Sequence, residues 1–172
     1  MGKPVERNGR RGPQLPALTG LTLPMTEFIE RAAEKIPNFA GVKYSHYDLG
    51  EFSECRELVG DRYEMLFGRD ELLLPALAVG AGGVIGSTFN FSAPIYLRVV
   101  AAFQDGDLDA ARKAQLEARQ MIRSLVRSGP LAGQKAAMRL LGIDCGPARP
   151  PLVNPTPTEI EILKNELAAL GL

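Results

Sequence analysis

Tryptophan is absent, histidine occurs once and cysteine twice in 172 residues. Cys55 and Cys145 are too few for a disulfide framework. Such sparse thiols fit a reducing compartment, and a cytoplasmic location is expected. One histidine with two scattered cysteines offers no metal-ligand spacing, so no metal is expected. A histidine-based triad could draw only on His46, and there is no Gly-x-Ser-x-Gly elbow. No apolar run approaches the roughly 18 residues of a membrane span. The N-terminus also lacks the apolar core of a signal peptide. Charge of one sign is missing too. Twenty basic residues balance twenty acidic ones, so no net field favours nucleic acid or an anionic membrane as a partner.

What is present suits one ordinary globular chain. Apolar residues make up 45% and charged residues 23%, and the length is enough to bury a core. Residues 1–14, MGKPVERNGRRGPQ, are basic and rich in glycine and proline, with almost no apolar side chains. Such a segment cannot offset its ordering entropy, and a disordered leader foreign to the fold is expected. A basic arm for nucleic acid is the weaker alternative, because no aromatics accompany the charges.

Beyond a loop at 15–23, strand and helix patterns alternate. Residues 24–35 carry a helical stripe of Phe28, Ile29, Ala32 and Ala33, stopped by Pro37 and Asn38. A short buried strand follows in 39–47, FAGVKYSHY. Period 2 puts Gly41, Lys43 and Ser45 on one face and Val42 and Tyr44 on the other. An amine on the inner face of such a strand is costly unless paired or able to shed its proton. A lysine that does so is a nucleophile for carbonyl groups. The bland alternative is a strand-end lysine snorkelling to water.

Residues 48–59 read as a helix with Cys55 on its apolar stripe, where packing is the expected role. A second strand at 63–69 leads to Asp70, a substrate-site candidate or a plain helix N-cap. Pro75 falls in the first turn of the next helix, where proline is tolerated. GGVIGST (82–88) reads as a third strand. Its glycines close a helix instead of opening one, which excludes a dinucleotide fingerprint. Three strand–helix units imply parallel strands, and Ser45, Asp70 and Ser87 gather at their C-terminal ends. In a (β/α)8 barrel that end carries the active site.

The remainder reads as helices at 93–104, 108–128 and 131–141. The second of these has Leu116, Ile122, Leu125 and Val126 on its expected buried side. A proline linker at 146–155 and a capping box at Thr156–Glu159 precede a last helix.

Four motifs then carry a resemblance: IPNFAGVKYS (36–45), LFGRDE (66–71), GGVIGSTFN (82–90) and PALTG (16–20). Residues 15–172 resemble the C-terminal portion of the N-acetylneuraminate lyase branch of the dihydrodipicolinate synthase family. KAAMRLLG (135–142) and PPL (150–152) extend the likeness. The resemblance implies an α/β fold, the C-terminal part of a (β/α)8 TIM barrel followed by helices. The partial barrel is expected over 15–104 and the helical region over 105–172. Lys43 is implied as the catalytic lysine, forming a Schiff base with a pyruvate keto group. The iminium is its own electron sink, so no cofactor is expected. Ser45, Gly68, Asp70, Glu71, Gly86 and Ser87 are implied as contacts for a sugar-derived chain. The substrate class is sialic acid or a related 2-oxo acid, and the family habit implies a homotetramer.

The departures are specific. The family barrel has eight strands against about three expected here. The GTTGE loop is absent, and no tyrosine stands on a strand before PALTG. Tyr44 and Tyr47 do not match that place. The expectation is a truncated chain of little turnover, lacking its proton-transfer partner. The competing expectations are another pyruvate-dependent aldolase or dehydratase, and a non-enzymatic barrel fragment.

Overall fold

The computed structural model describes residues 10–14, as backbone, and 23–172. The expected leader at 1–9 and the loop with PALTG at 15–22 lie outside the described residues. The chain divides into two compact units, Met1–Ile85 and Gly86–Leu172. The helix expected at 93–104 therefore falls with the helical unit, not with the strands.

The first unit is a parallel sheet with helical crossovers. Its order is β1 (Arg10–Gln14), α1 (Met25–Lys35), β2 (Phe39–Tyr44), α2 (Leu49–Val59), β3 (Glu64–Phe67), a 3₁₀ turn (Asp70–Leu72), α3 (Leu73–Ala78) and β4 (Gly83–Val84). Spatial order follows chain order, β1-β2-β3-β4, and every pairing is parallel. The strand at Arg10–Gln14 corrects the expected disorder for those residues, and the strand count becomes four. Its Pro13 lies opposite Lys43 and lacks an N–H to donate, which an edge strand tolerates. The last strand is only two residues long, far shorter than the 82–88 expected.

Alternation decides what each strand residue does. Val42 and Tyr44 are fully buried and pack with Met65 and Phe67 of β3. Above them lie Met25, Ile29 and Ala32 of α1 and Phe52, Cys55 and Val59 of α2. Three rings interlock: Tyr44–Phe52 at 5.5 Å, Phe52–Phe67 at 5.3 Å and Tyr44–Phe67 at 6.4 Å. Such pairs add about 0.5–1.5 kcal/mol each beyond their burial.

One carboxylate ties this core together. Glu51, in the first turn of α2, accepts from the Met25 N–H at 3.0 Å, the first residue of α1. It also accepts from the Tyr44 hydroxyl at 2.7 Å. That N–H has no partner inside its own helix, so Glu51 supplies it from outside. Burial first, then Glu51, raise the Tyr44 phenol above its usual range. Burial also pushes the Cys55 thiol up to about 12, so Cys55 is the packing residue its stripe implied.

The second unit is helical: α4 (Phe89–Gln104), α5 (Leu108–Arg127), α6 (Pro130–Leu140) and α7 (Pro157–Ala169). The start of α4 lies ahead of the expected residue 93, with a kink at Ser92 just before Pro94. Proline cannot extend the preceding turn, which is why the pattern becomes regular only from there.

The buried side of α5 differs from expectation. Leu116 and Val126 are about half exposed, at 49% and 53%, whereas Ala111, Ala114, Ala118, Met121 and Leu125 are buried. Leu125 is buried as expected, while alanines with Met121 supply the rest of the face, because small residues let helices approach closely. Gly133 of α6 shows how close: a Cβ there would overlap the Leu125 carbonyl of α5. The capping box forms as read. The Thr156 hydroxyl accepts from the Glu159 N–H at 3.3 Å, and the Glu159 carboxylate accepts from the Thr156 N–H at 2.7 Å.

Candidate active site

The site is built where β2 and β3 end. Val42 and Tyr44 point into the core, so Lys43 and Ser45 occupy the opposite face. Lys43 sits in an interior strand, between Pro13 of β1 and Leu66 of β3, and is half-buried. Among the described residues its ammonium has no hydrogen-bond or ion-pair partner.

Ser45 is 2% exposed, and its Oγ has no hydrogen-bond partner among the described residues. A buried hydroxyl without a partner costs roughly 1–3 kcal/mol, which a ligand group would recover. Gly68 closes the arrangement. A Cβ at that position would lie 2.8 Å from Lys43 Cε and would overlap Ser45 Oγ. A larger residue there would make the Lys43 and Ser45 side chains shift, so the three residues are packed directly against one another. The Gly68 N–H donates to the Tyr44 carbonyl at 2.7 Å, which anchors the turn against the lysine strand.

The acidic pair follows at once. Asp70 is the first residue of the 3₁₀ turn and its cap position is Arg69, so the plain N-cap reading of Asp70 does not hold. Asp70 is buried. Glu71 is half-buried and is gripped by two side chains the sequence did not single out. The Tyr47 hydroxyl donates to Glu71 Oε1 at 3.2 Å, and Arg69 Nη1 stands 3.6 Å from the same oxygen. Arg69 Nε donates to the Ser45 carbonyl at 3.1 Å, and its guanidinium stacks 4.0 Å over the Tyr47 ring. Their only sequence signal was an arginine in the LFGRDE motif and an aromatic shortly after the lysine.

The structure thus brings together Lys43, Ser45 and Gly68, and links Glu71 to Ser45 through Arg69. Gly86 and Ser87 open the second unit, where Ser87 is exposed and its carbonyl accepts from Asn90 Nδ2 at 2.9 Å. His46 Nδ1 is buried without a partner, but its ring lies 6.2 Å from that of Tyr44 on the core side. Among the described residues no group of His, Cys, Asp and Glu could hold a metal ion. Nor is any described helix long and apolar enough to cross a membrane.

A lysine, a buried hydroxyl and a carboxylate around a glycine can hold a 2-oxo acid with a hydroxylated tail. The chain is 37% identical over 143 residues to an N-acetylneuraminate lyase of Lactiplantibacillus plantarum, covering 83% of this chain and 48% of that protein. It is 35% identical over 159 residues to an N-acetylneuraminate lyase of Gallus gallus, covering 91% and 52%. Among solved structures, Proteus mirabilis N-acetylneuraminate lyase superposes with a TM-score of 0.85 at 35% identity, covering 90% of this chain and 52% of that one. The chain spans about half the length of the curated relatives it matches. The fold is α/β, the C-terminal part of a (β/α)8 barrel followed by helices, as the motifs implied. With residues 14–170 matched by the dihydrodipicolinate synthetase family and the lysine strand, glycine and acidic pair in place, the chain belongs to that family.

Proposed function

We propose that this chain carries the Schiff-base side of an aldolase that cleaves N-acetylneuraminate to N-acetylmannosamine and pyruvate. The observation that supports it best is Lys43 set beside a buried, unpartnered hydroxyl, with both side chains packed against Gly68. The neutral amine adds to the keto carbon, and loss of water leaves a protonated imine. The substrate's carbon–carbon bond then breaks, and its electron pair moves into the imine to form an enamine. The hydroxyl on the departing carbon gives its proton to a base and becomes the aldehyde. A proton added to the enamine carbon, then water added to the imine, release pyruvate and the free amine.

Ser45 donates to the substrate near the imine, and Gly68 leaves it room. Asp70 and Glu71 accept from hydroxyls of the tail. Gly86 and Ser87 keep the substrate contacts the resemblance implies. Arg10–Gln14, beside the lysine strand, contains no tyrosine, so proton transfer at the imine has no phenol there. Loss of such a group typically costs about 10²–10⁴-fold, and slow turnover by this chain is part of the proposal. A homotetramer is also proposed. Exposed Leu97, Leu131 and Val153 of the second unit are apolar surface for it to cover, and size-exclusion with light scattering tests it.

Borohydride reduction in the presence of pyruvate, followed by peptide mass mapping, tests the chemistry. The expected result is an adduct at Lys43 that Lys43→Ala lacks. Folded protein that gains no adduct there overturns the reading.

A further inference from the structure

We infer that Arg69, braced on Tyr47, is a positioning residue that aims the Glu71 carboxylate at the hydroxylated tail of a long 2-oxo acid and so sets substrate length. The inference rests on the function proposed above and deepens it. Arg69 is held at three points on three different groups: the Ser45 carbonyl, the Tyr47 ring and Glu71 Oε1. Its side chain is only 22% exposed, and that of Glu71 27%, unlike an ordinary solvated ion pair.

The geometry divides the carboxylate between two tasks. Oε1 receives both the Tyr47 hydroxyl and the Arg69 guanidinium. Among the described residues Oε2 has no partner, and it is the acceptor left for a substrate hydroxyl. With one oxygen hydrogen-bonded by Tyr47 and ion-paired with Arg69, the direction of the other is set as well. The same guanidinium grips the backbone of Ser45, two residues past Lys43. The lysine end and the polyol end of the site are thereby held at a set separation by one planar group. Lysine could not do this, because it has neither the fork nor the stacking face. A three-carbon acid has no tail to offer Glu71, so the arrangement rewards only the longer substrate.

The test is borohydride trapping at Lys43 over a range of pyruvate and, separately, N-acetylneuraminate concentrations, in the full chain and in Arg69→Ala, Arg69→Lys and Tyr47→Phe. In Arg69→Ala the half-saturating concentration of the nine-carbon acid should rise about 10- to 100-fold, the scale of hydrogen bonds to charged groups. That of pyruvate should rise no more than about 3-fold, within the scatter of such measurements. Arg69→Lys should recover little, and Tyr47→Phe, which keeps the stack, should show the same selectivity in smaller measure. Equal shifts for both acids, or no shift for either, overturn the inference while leaving the lysine chemistry intact. Trapping of pyruvate but not of N-acetylneuraminate by the unaltered chain also overturns it. Absence of trapping with both acids overturns the proposed function and this inference together.

Discussion

The two units of this chain satisfy their polar groups in different ways. In the helical unit they are matched locally. Thr156 and Glu159 cap α7 reciprocally, Asp107 caps α5 by accepting from the Ala110 N–H, and Ser92 bonds the Thr88 carbonyl. Its charges pair on the surface, as Arg127 does with Glu166 and Arg98 with Glu117. In the sheet unit the core side is matched over longer range, with Glu51 serving both Met25 and Tyr44, although His46 Nδ1 is left buried without a partner. The opposite face of β2 is different. There Ser45 Oγ is buried without a partner beside the half-buried Lys43. An unsatisfied buried hydroxyl is destabilising, so Ser45 is a place where the fold gives up stability, as the proposed ligand contact requires.

Changes at Gly68 should break that contrast most completely. Gly68→Ala puts a methyl group against Lys43 Cε and Ser45 Oγ. Trapping with pyruvate should fall by at least about 100-fold, as expected when a reacting group is displaced by roughly an ångström. Melting temperature and adduct yield, measured side by side, check whether the loss exceeds any unfolding.

On the core side the effect should be on stability. Tyr44→Phe removes the phenol that bonds Glu51, and should cost about 1–3 kcal/mol in urea unfolding. A Ser45→Ala change should do the reverse. Removing an unpartnered buried hydroxyl should leave stability unchanged or raised by up to about 1 kcal/mol, while trapping weakens.

Alkali should separate the units. Burial raises the Cys55 thiol from 9.0 to about 12 and lifts the Tyr44 phenol above 10.0, so the folded sheet unit keeps protons that the unfolded chain releases. That stability is whole below pH 9.0 and is lost as pH rises towards about 12. Hydrogen exchange or far-ultraviolet melting over this range should show the sheet unit weakening first. The smallest effects belong to the helical surface. The hydrogen bond from Arg127 lowers the Glu166 carboxyl from 4.5, so its contribution is present above that pH and lost as pH falls. Because the pair is exposed to solvent, Glu166→Gln should change stability by less than about 1 kcal/mol.

How much was legible in advance depends on the range of the interactions. Lys43, Ser45, Gly68 and the acidic pair could be picked out because motif and alternation are local and survive without a fold. The capping box was legible for the same reason, since four consecutive residues complete it. The strand at Arg10–Gln14 was not, because its glycine and proline carry no strand preference. Only pairing with β2 makes it one. On α5 the burial of Leu125 was read correctly, but Leu116 and Val126 were not, because the reading weighed side-chain size while close helix packing selects alanine. Arg69 and Tyr47 went unassigned since they meet across two loops, more than twenty residues apart in the chain.

From its sequence alone, then, this protein's parallel strand–helix order, the face on which Lys43 emerges and its family kinship were decided, each by short-range pattern or by motif. Tertiary structure alone decided that Ser45 would be buried without a partner, that Gly68 would lie against the Lys43 and Ser45 side chains, and that one guanidinium would join Ser45 to Glu71. Those outcomes depend on side chains from separate strands and loops being brought into contact by the fold, which no local preference encodes.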